Sequence, residues 1–144
     1  MATQNYANHR QYVPLYHVVL FGMLVLTLIG SVVNLARSMG DHQRIYSASL
    51  IVVLVAAAIM LFFFARVFAL KAQDRAIRAE ENLRHFALTG KLLDARLGVR
   101  QIVALRFASD GEFVQLAQKA ADENMAPDDI KRAVKQWRAD TYRV

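Results

Sequence analysis

Residues 45–65 read IYSASLIVVLVAAAIMLFFFA, twenty-one positions without a charge, and the chain then runs straight into RVFALKAQDRAIRA over 66–79. The first stretch meets the roughly 20 residues that an α-helix needs to cross a hydrocarbon core about 30 Å thick. The second is basic. No glycine or proline interrupts the chain between Asp41 and Thr89. The reading is therefore one continuous helix over 45–89, a membrane span prolonged as a stalk, about 65 Å long at 1.5 Å per residue.

Working outward, residues 11–36 also lack Asp, Glu, Lys and Arg, and they contain YVPLYHVVLFGMLVLTLIGSVVNLA. The chain as a whole is 56% hydrophobic yet carries a net charge of +6 over 144 residues. Segregation reconciles the two values, because nearly all the charge lies outside the two uncharged runs. Two buried core helices would need apolar surface to cover them, and little remains elsewhere. A cleavable signal peptide fits poorly, since the first run is too long and lacks a basic leader and a small-residue cleavage site. The absence of cysteine excludes disulfides, thiolate metal sites and cysteine nucleophiles.

Charge sets the expected orientation. Residues 66–106 hold nine basic and four acidic side chains, whereas 107–144 hold six and seven. The positive-inside tendency puts the C-terminal side in the cytosol, and two spans return the N-terminal segment, with Arg10, to the same side. The layout follows: a cytosolic or interfacial segment over 1–13, transmembrane helix 1 over 14–36, an external connector over 37–44 centred on Gly40, transmembrane helix 2 with its stalk over 45–89, and a small cytosolic helical domain over 90–144. Pro14 sits where a helix can begin, and Gly90 where one can end. The fold class is all-α.

Three short helices are expected in the tail. In GVRQIVALRFA the apolar positions 99, 102, 103 and 107 follow helical spacing. Residues 110–123 open on Ser109 and Glu112 in capping-box spacing and put Phe113, Leu116, Ala117 and Ala120 on one face. Residues 127–139 begin with Pro127, carry Asp128 and Asp129 in the first turn, and show a stripe of Ile130, Val134 and Trp137. The last 54 residues are few for an independent core, so they should lean on the long helix or on another chain.

The stalk carries its own pattern. Ala65, Ala69, Ala72, Ala76 and Ala79 recur in steps of four and three, the period of a left-handed supercoil, and Leu83 and Phe86 continue it. Small side chains permit close backbone approach, which is what marks helix contacts in membranes. The competing explanation is that alanine is simply the best helix former. Arg66, Lys71, Arg75 and Arg78 offer charge to anionic lipid headgroups or acidic partners, at about 1 kcal/mol for each side chain near the surface. The pairs Asp74–Arg78 and Glu80–Arg84 have the spacing of helix ion pairs. In the first span Thr27, Ser31 and Asn34 share a face, which packs within the hairpin or against a neighbouring subunit. Tyr6, Tyr12 and Tyr16 read as interfacial anchors.

No catalytic or metal-binding signature is present. His9, His17, His42 and His85 lack metal-ligand spacing, and Glu80 and Glu81 are adjacent and so point to different helix faces. No cofactor is expected. Although 110–139 could be read as a helix-turn-helix, the leading Asp128 and Asp129 would repel phosphate, so nucleic acid is not an expected partner.

The segments NYANHRQYVPLYH, FFFARVFALKAQDRAIRAEENLRHFALTGK, RQIVALRFASDGEF and IKRAVKQW resemble an uncharacterised bacterial family of two-span inner-membrane proteins, a domain of unknown function. The resemblance covers nearly the whole chain. It implies a bacterial inner membrane and brings no activity or site residues with it. The expected role is thus non-enzymatic: an accessory subunit of a larger membrane complex, packing against other integral subunits or copies of itself. A homo-oligomeric channel and a membrane-anchored module that captures a cytosolic partner are the alternatives. Replacing Ala72→Leu together with Ala76→Leu should abolish assembly while leaving membrane insertion intact; an unchanged complex size in detergent chromatography would count against close packing.

Overall fold

The computed structural model describes residues 4–9 and 12–140. The regular elements among these residues are all helices, with no strand. A π-helical turn, Leu15–Leu20, leads into α1 (Phe21–Arg37), followed by α2 (His42–Thr89), α3 (Val99–Leu105), α4 (Asp110–Asp122) and α5 (Pro127–Ala133). The chain forms two compact units, one of residues 12–68 and the other joining the N-terminal segment to residues from 69 onward. Helix α2 contributes to both.

In the first unit Pro14 fixes the backbone in helical geometry (φ −57°) at the start of the first rod. The π-helical turn was not legible in the sequence, because apolar spacing does not distinguish it from α-helix. Tyr12 stacks on the His17 ring at 4.9 Å and Tyr16 meets it edge-on at 5.2 Å. Tyr16 also stacks on Phe62 at 4.3 Å and donates its hydroxyl to the Phe62 carbonyl, and Phe21 touches Phe62 and Phe63. The start of the first rod thus meets the end of the second apolar run, which makes the unit an antiparallel hairpin. The residues it buries are mostly small: Ser31, Ser38, Ala48 and Val55.

The turn is tighter than the expected connector over 37–44. Helix α1 reaches Arg37, and α2 starts at His42 rather than Ile45. The reason is Asp41. Its carboxylate accepts the otherwise unpaired N–H groups of Gln43 (3.0 Å) and Arg44 (3.3 Å), which starts the helix three residues early. Gly40 takes φ +100°, the left-handed geometry that the reversal requires.

The second unit closes around Leu105, Phe107, Phe113 and Ile130, all but fully buried, with α3, α4 and α5 packed together. Helix α2 ends where Gly90 (φ +73°) donates its N–H to Phe86 O. The chain folds back on the same helix: Leu93 N donates to Asn82 Oδ1, and the His85 ring lies 2.7 Å from Lys91 O. Arg96 bridges Asp94 and Asp122 at 2.7 and 2.8 Å. Hydrogen bonds from Arg96, from its side chain first and then its backbone N–H, hold the Asp94 carboxyl down at about 2. The clamp therefore contributes fully above the ordinary carboxylate value of 3.8 and is lost as pH falls through about 2.

Three expectations need correction. The last helix stops at Ala133 rather than continuing to 139, because Val134 turns extended (ψ 119°). From there Ala108 and Trp137 form an antiparallel bridge, with Ser109 N donating to Gln136 O and Arg138 N to Phe107 O. Trp137 still reaches the core, stacked obliquely on Phe107 at 4.8 Å. The Ser109–Glu112 capping box does not form, since the Glu112 carboxylate instead accepts the N–H groups of Lys135 (3.0 Å) and Gln136 (2.9 Å). The ion pairs also differ from those expected. Arg84 bonds Glu81 and Asp110 instead of Glu80, and Asp74–Arg78 is not among the pairs of the described residues.

Residues 4–9, part of the segment expected to be cytosolic or interfacial, lie as a strap across this unit. Asp140 N donates to Gln4 Oε1 at 2.7 Å and Gln4 Nε2 donates to Asp140 O at 3.3 Å. Arg132 lies over the Tyr6 ring at 5.2 Å, and His9 packs on Phe107 and Trp137. Arg10 lies outside the described residues. Truncating Phe113→Ala should lower the unfolding free energy by about 3–5 kcal/mol, whereas Leu92→Ala, at an exposed position, should stay within about 0.5 kcal/mol; thermal melts of both variants in detergent check the contrast.

Candidate functional site

The densest arrangement of charge in the described residues lies on the face of α2 that meets the tail. Ile77, Glu81 and Arg84 fall one turn apart on that face, and Ile77 and Glu81 are buried. The side chains of Glu81 and Arg84 are only 6% and 11% exposed, and they pair at 2.9 Å. Arg84 also reaches Asp110 at 2.6 Å, donates to Ala108 O at 2.7 Å and lies 4.2 Å over the Phe113 ring. It therefore fastens α2 to the start of α4. Asp110, in the first turn of α4, doubles as a favourable charge at a helix N-terminus.

The other Glu81 oxygen faces Arg138 at 3.7 Å. Nearby, Arg106 pairs with Asp140 at 2.7 Å, donates to Val103 O at 3.1 Å and lies 4.4 Å over Phe107. Three guanidinium groups thus meet three carboxylates, counting Arg84, Arg106 and Arg138 against Glu81, Asp110 and Asp140. A cleft of about 280 Å³ opens beside them, lined by Gln73, Ala76, Ile77, Glu80 and the ends of this network. The chemistry is that of a fastening: each buried charge has an opposite partner, and the buried guanidiniums of Arg84 and Arg106 also lie over a ring and donate to a carbonyl. Among the described residues no three His, Cys, Asp or Glu side chains group so as to hold a metal ion.

The residues singled out in the sequence fall elsewhere. Ala65, Ala72, Ala76 and Ala79 are exposed and Ala69 is half-buried, so among the described residues the tail does not bury the stripe, although Ala76 borders the cleft beside it. Lys71, Arg75 and Arg78 are exposed and Arg66 is half-buried. Ser31 is buried, while Thr27 and Asn34 are exposed. The hydroxyls of Thr27 and Ser31 bond to Met23 O and Leu28 O of their own helix, so they are satisfied without a neighbour. Tyr12 and Tyr16 flank His17, whereas Tyr6 belongs to the other unit, under Arg132.

The sequence reading missed the ionic network. The spacing of Glu81 and Arg84 was visible, but Arg106, Arg138 and Asp140 come from segments that only the tertiary fold brings together. The N-terminal strap was missed for the same reason.

A family of unknown function, DUF6526, matches residues 1–144. The chain belongs to this family. No curated protein and no solved structure matches it. In this DUF6526 chain, Glu81→Gln would leave the buried Arg84 guanidinium with Asp110 as its one remaining carboxylate and should cost about 1–3 kcal/mol. Replacing both partners, Glu81→Leu with Arg84→Met, should cost clearly less than that; a double-mutant cycle on unfolding midpoints measures the difference.

Proposed function

We propose that this chain is a non-enzymatic structural or accessory subunit of a larger complex in the bacterial inner membrane, acting through helix packing. The observation that carries the reading is uncovered apolar surface. Leu15–Arg37 and the apolar part of His42–Thr89 are long enough to cross a bilayer, and only 6% and 11% of their most apolar windows are buried. Core helices of a water-soluble domain would be mostly buried. Leu26, Leu54 and Leu61, each about two-thirds exposed, require a lipid or protein neighbour.

Hydrogen bonding agrees with the reading. In hydrocarbon every polar backbone group needs an internal partner, and the side-chain hydroxyls of Thr27, Ser31, Ser47 and Ser49 are all bonded to carbonyls of their own helices. The hairpin reverses over residues 38–41, while the N-terminal strap and the tail share one compact unit. That sharing supports both end segments lying on one side of the membrane, and the excess of basic residues over 66–106 favours the cytosol. The exposed Lys71, Arg75 and Arg78 then stand close to anionic headgroups.

Because the chain has no cysteine, single cysteines report topology without background. In bacterial cells, Met39→Cys should react with a membrane-impermeant maleimide from outside, and Lys91→Cys only after lysis. Equal labelling of both in intact cells, or recovery of the protein in the soluble fraction, would overturn the reading.

A further inference from the structure

We propose that the stalk part of α2 pairs in parallel with the same stretch of a second copy of this chain. The pairing names the partner within the membrane-subunit reading above and rests on it. The register comes from the helix itself. Ala69, Ala76 and Leu83 fall at one seam position of a heptad, and Ala65, Ala72, Ala79 and Phe86 at the other. Leu83 is 68% exposed and Phe86 52%, although their unit has a closed core of its own. The core-facing residue Ile77 lies about 100° round the helix from Ala76. This face of α2 therefore carries large apolar side chains that the described residues of its own chain leave uncovered.

Charge identifies the occupant. In this register Arg75 and Glu80 flank the seam on opposite sides, at the g and e positions that form interhelical ion pairs. In a parallel pair a g residue meets the e residue five positions further along the partner, so Arg75 of each copy meets Glu80 of the other, twice per pair. An antiparallel pair would instead set like flanks against each other. Among the described residues neither Arg75 nor Glu80 has an ion-pair partner in its own chain, since Arg84 has turned away from Glu80 to Glu81 and Asp110. Two copies inserted with one topology are also parallel by necessity. The alanines let the two backbones approach closely between these flanks.

The test uses the full chain in membranes. Oxidation should cross-link Ala76→Cys and Ala79→Cys into dimers, and should leave Arg78→Cys, on the outer face, monomeric. Arg75→Glu or Glu80→Arg alone should weaken association about tenfold, and the double reversal should restore it. Absence of cross-linking at 76 and 79, equal cross-linking at 78, or a double reversal that fails to recover would overturn self-pairing. A hetero-complex recovered without the cross-link removes the second copy and leaves the membrane-subunit reading standing. Failure of the Met39→Cys labelling removes that reading whether or not the chains cross-link.

Discussion

The pairing of Glu81 with Arg84 inside the tail-bearing unit is the interaction on which the construction of that unit depends. A carboxylate and a guanidinium removed from water are costly singly and tolerable together. Arg84 spends its remaining donors on Asp110 and Ala108 O and sets its flat face on Phe113. Glu81 turns its other oxygen to Arg138. One helical turn of α2 is thereby tied to the start of α4 and to the extended segment after α5. A tail of this size has a limited apolar core, and the ionic contacts fix where that core sits against the helix.

The hairpin unit is held by different physics. Its contacts are small side chains, Ser31, Ala48 and Val55, and a set of aromatic rings where Tyr16 and Phe21 meet Phe62 and Phe63. Its serine and threonine hydroxyls are satisfied locally, within one turn of their own helix, and Tyr16 alone among these examples reaches across, to Phe62 O. That economy is what a segment needs when its surroundings cannot supply hydrogen bonds, and it agrees with the proposed bilayer setting. The tail-bearing unit does the opposite, binding residues far apart in the chain, as in Gln4 with Asp140 and Arg84 with Asp110.

Legibility followed this division. The long rods, the unbroken helix through the stalk, the turn at Gly40 and the cap at Gly90 were all readable, because each rests on neighbours within a few positions. The apolar stripe of Ile130, Val134 and Trp137 does meet the core, yet the helix that its spacing predicts ends at Ala133. Three apolar residues at that spacing fit a helix as well as a bent, extended segment, and the pairing with residues 107–109 decided between them. Glu112 was misread for a related reason: its local use as a cap lost to the unpaired N–H groups of Lys135 and Gln136, which arrive from elsewhere in the chain.

The amino-acid sequence by itself determined the helical rods, their length and the uneven distribution of charge, because periodicity, propensity and the absence of breakers act over one or two turns. Only the tertiary structure decided which face of α2 the tail covers. Helical spacing offered both the alanine side and the Ile77–Glu81–Arg84 side. The tail chose the latter because Asp110, the Ala108 carbonyl and the Phe113 ring converge there, and no pattern within a single helix records where such distant groups will meet.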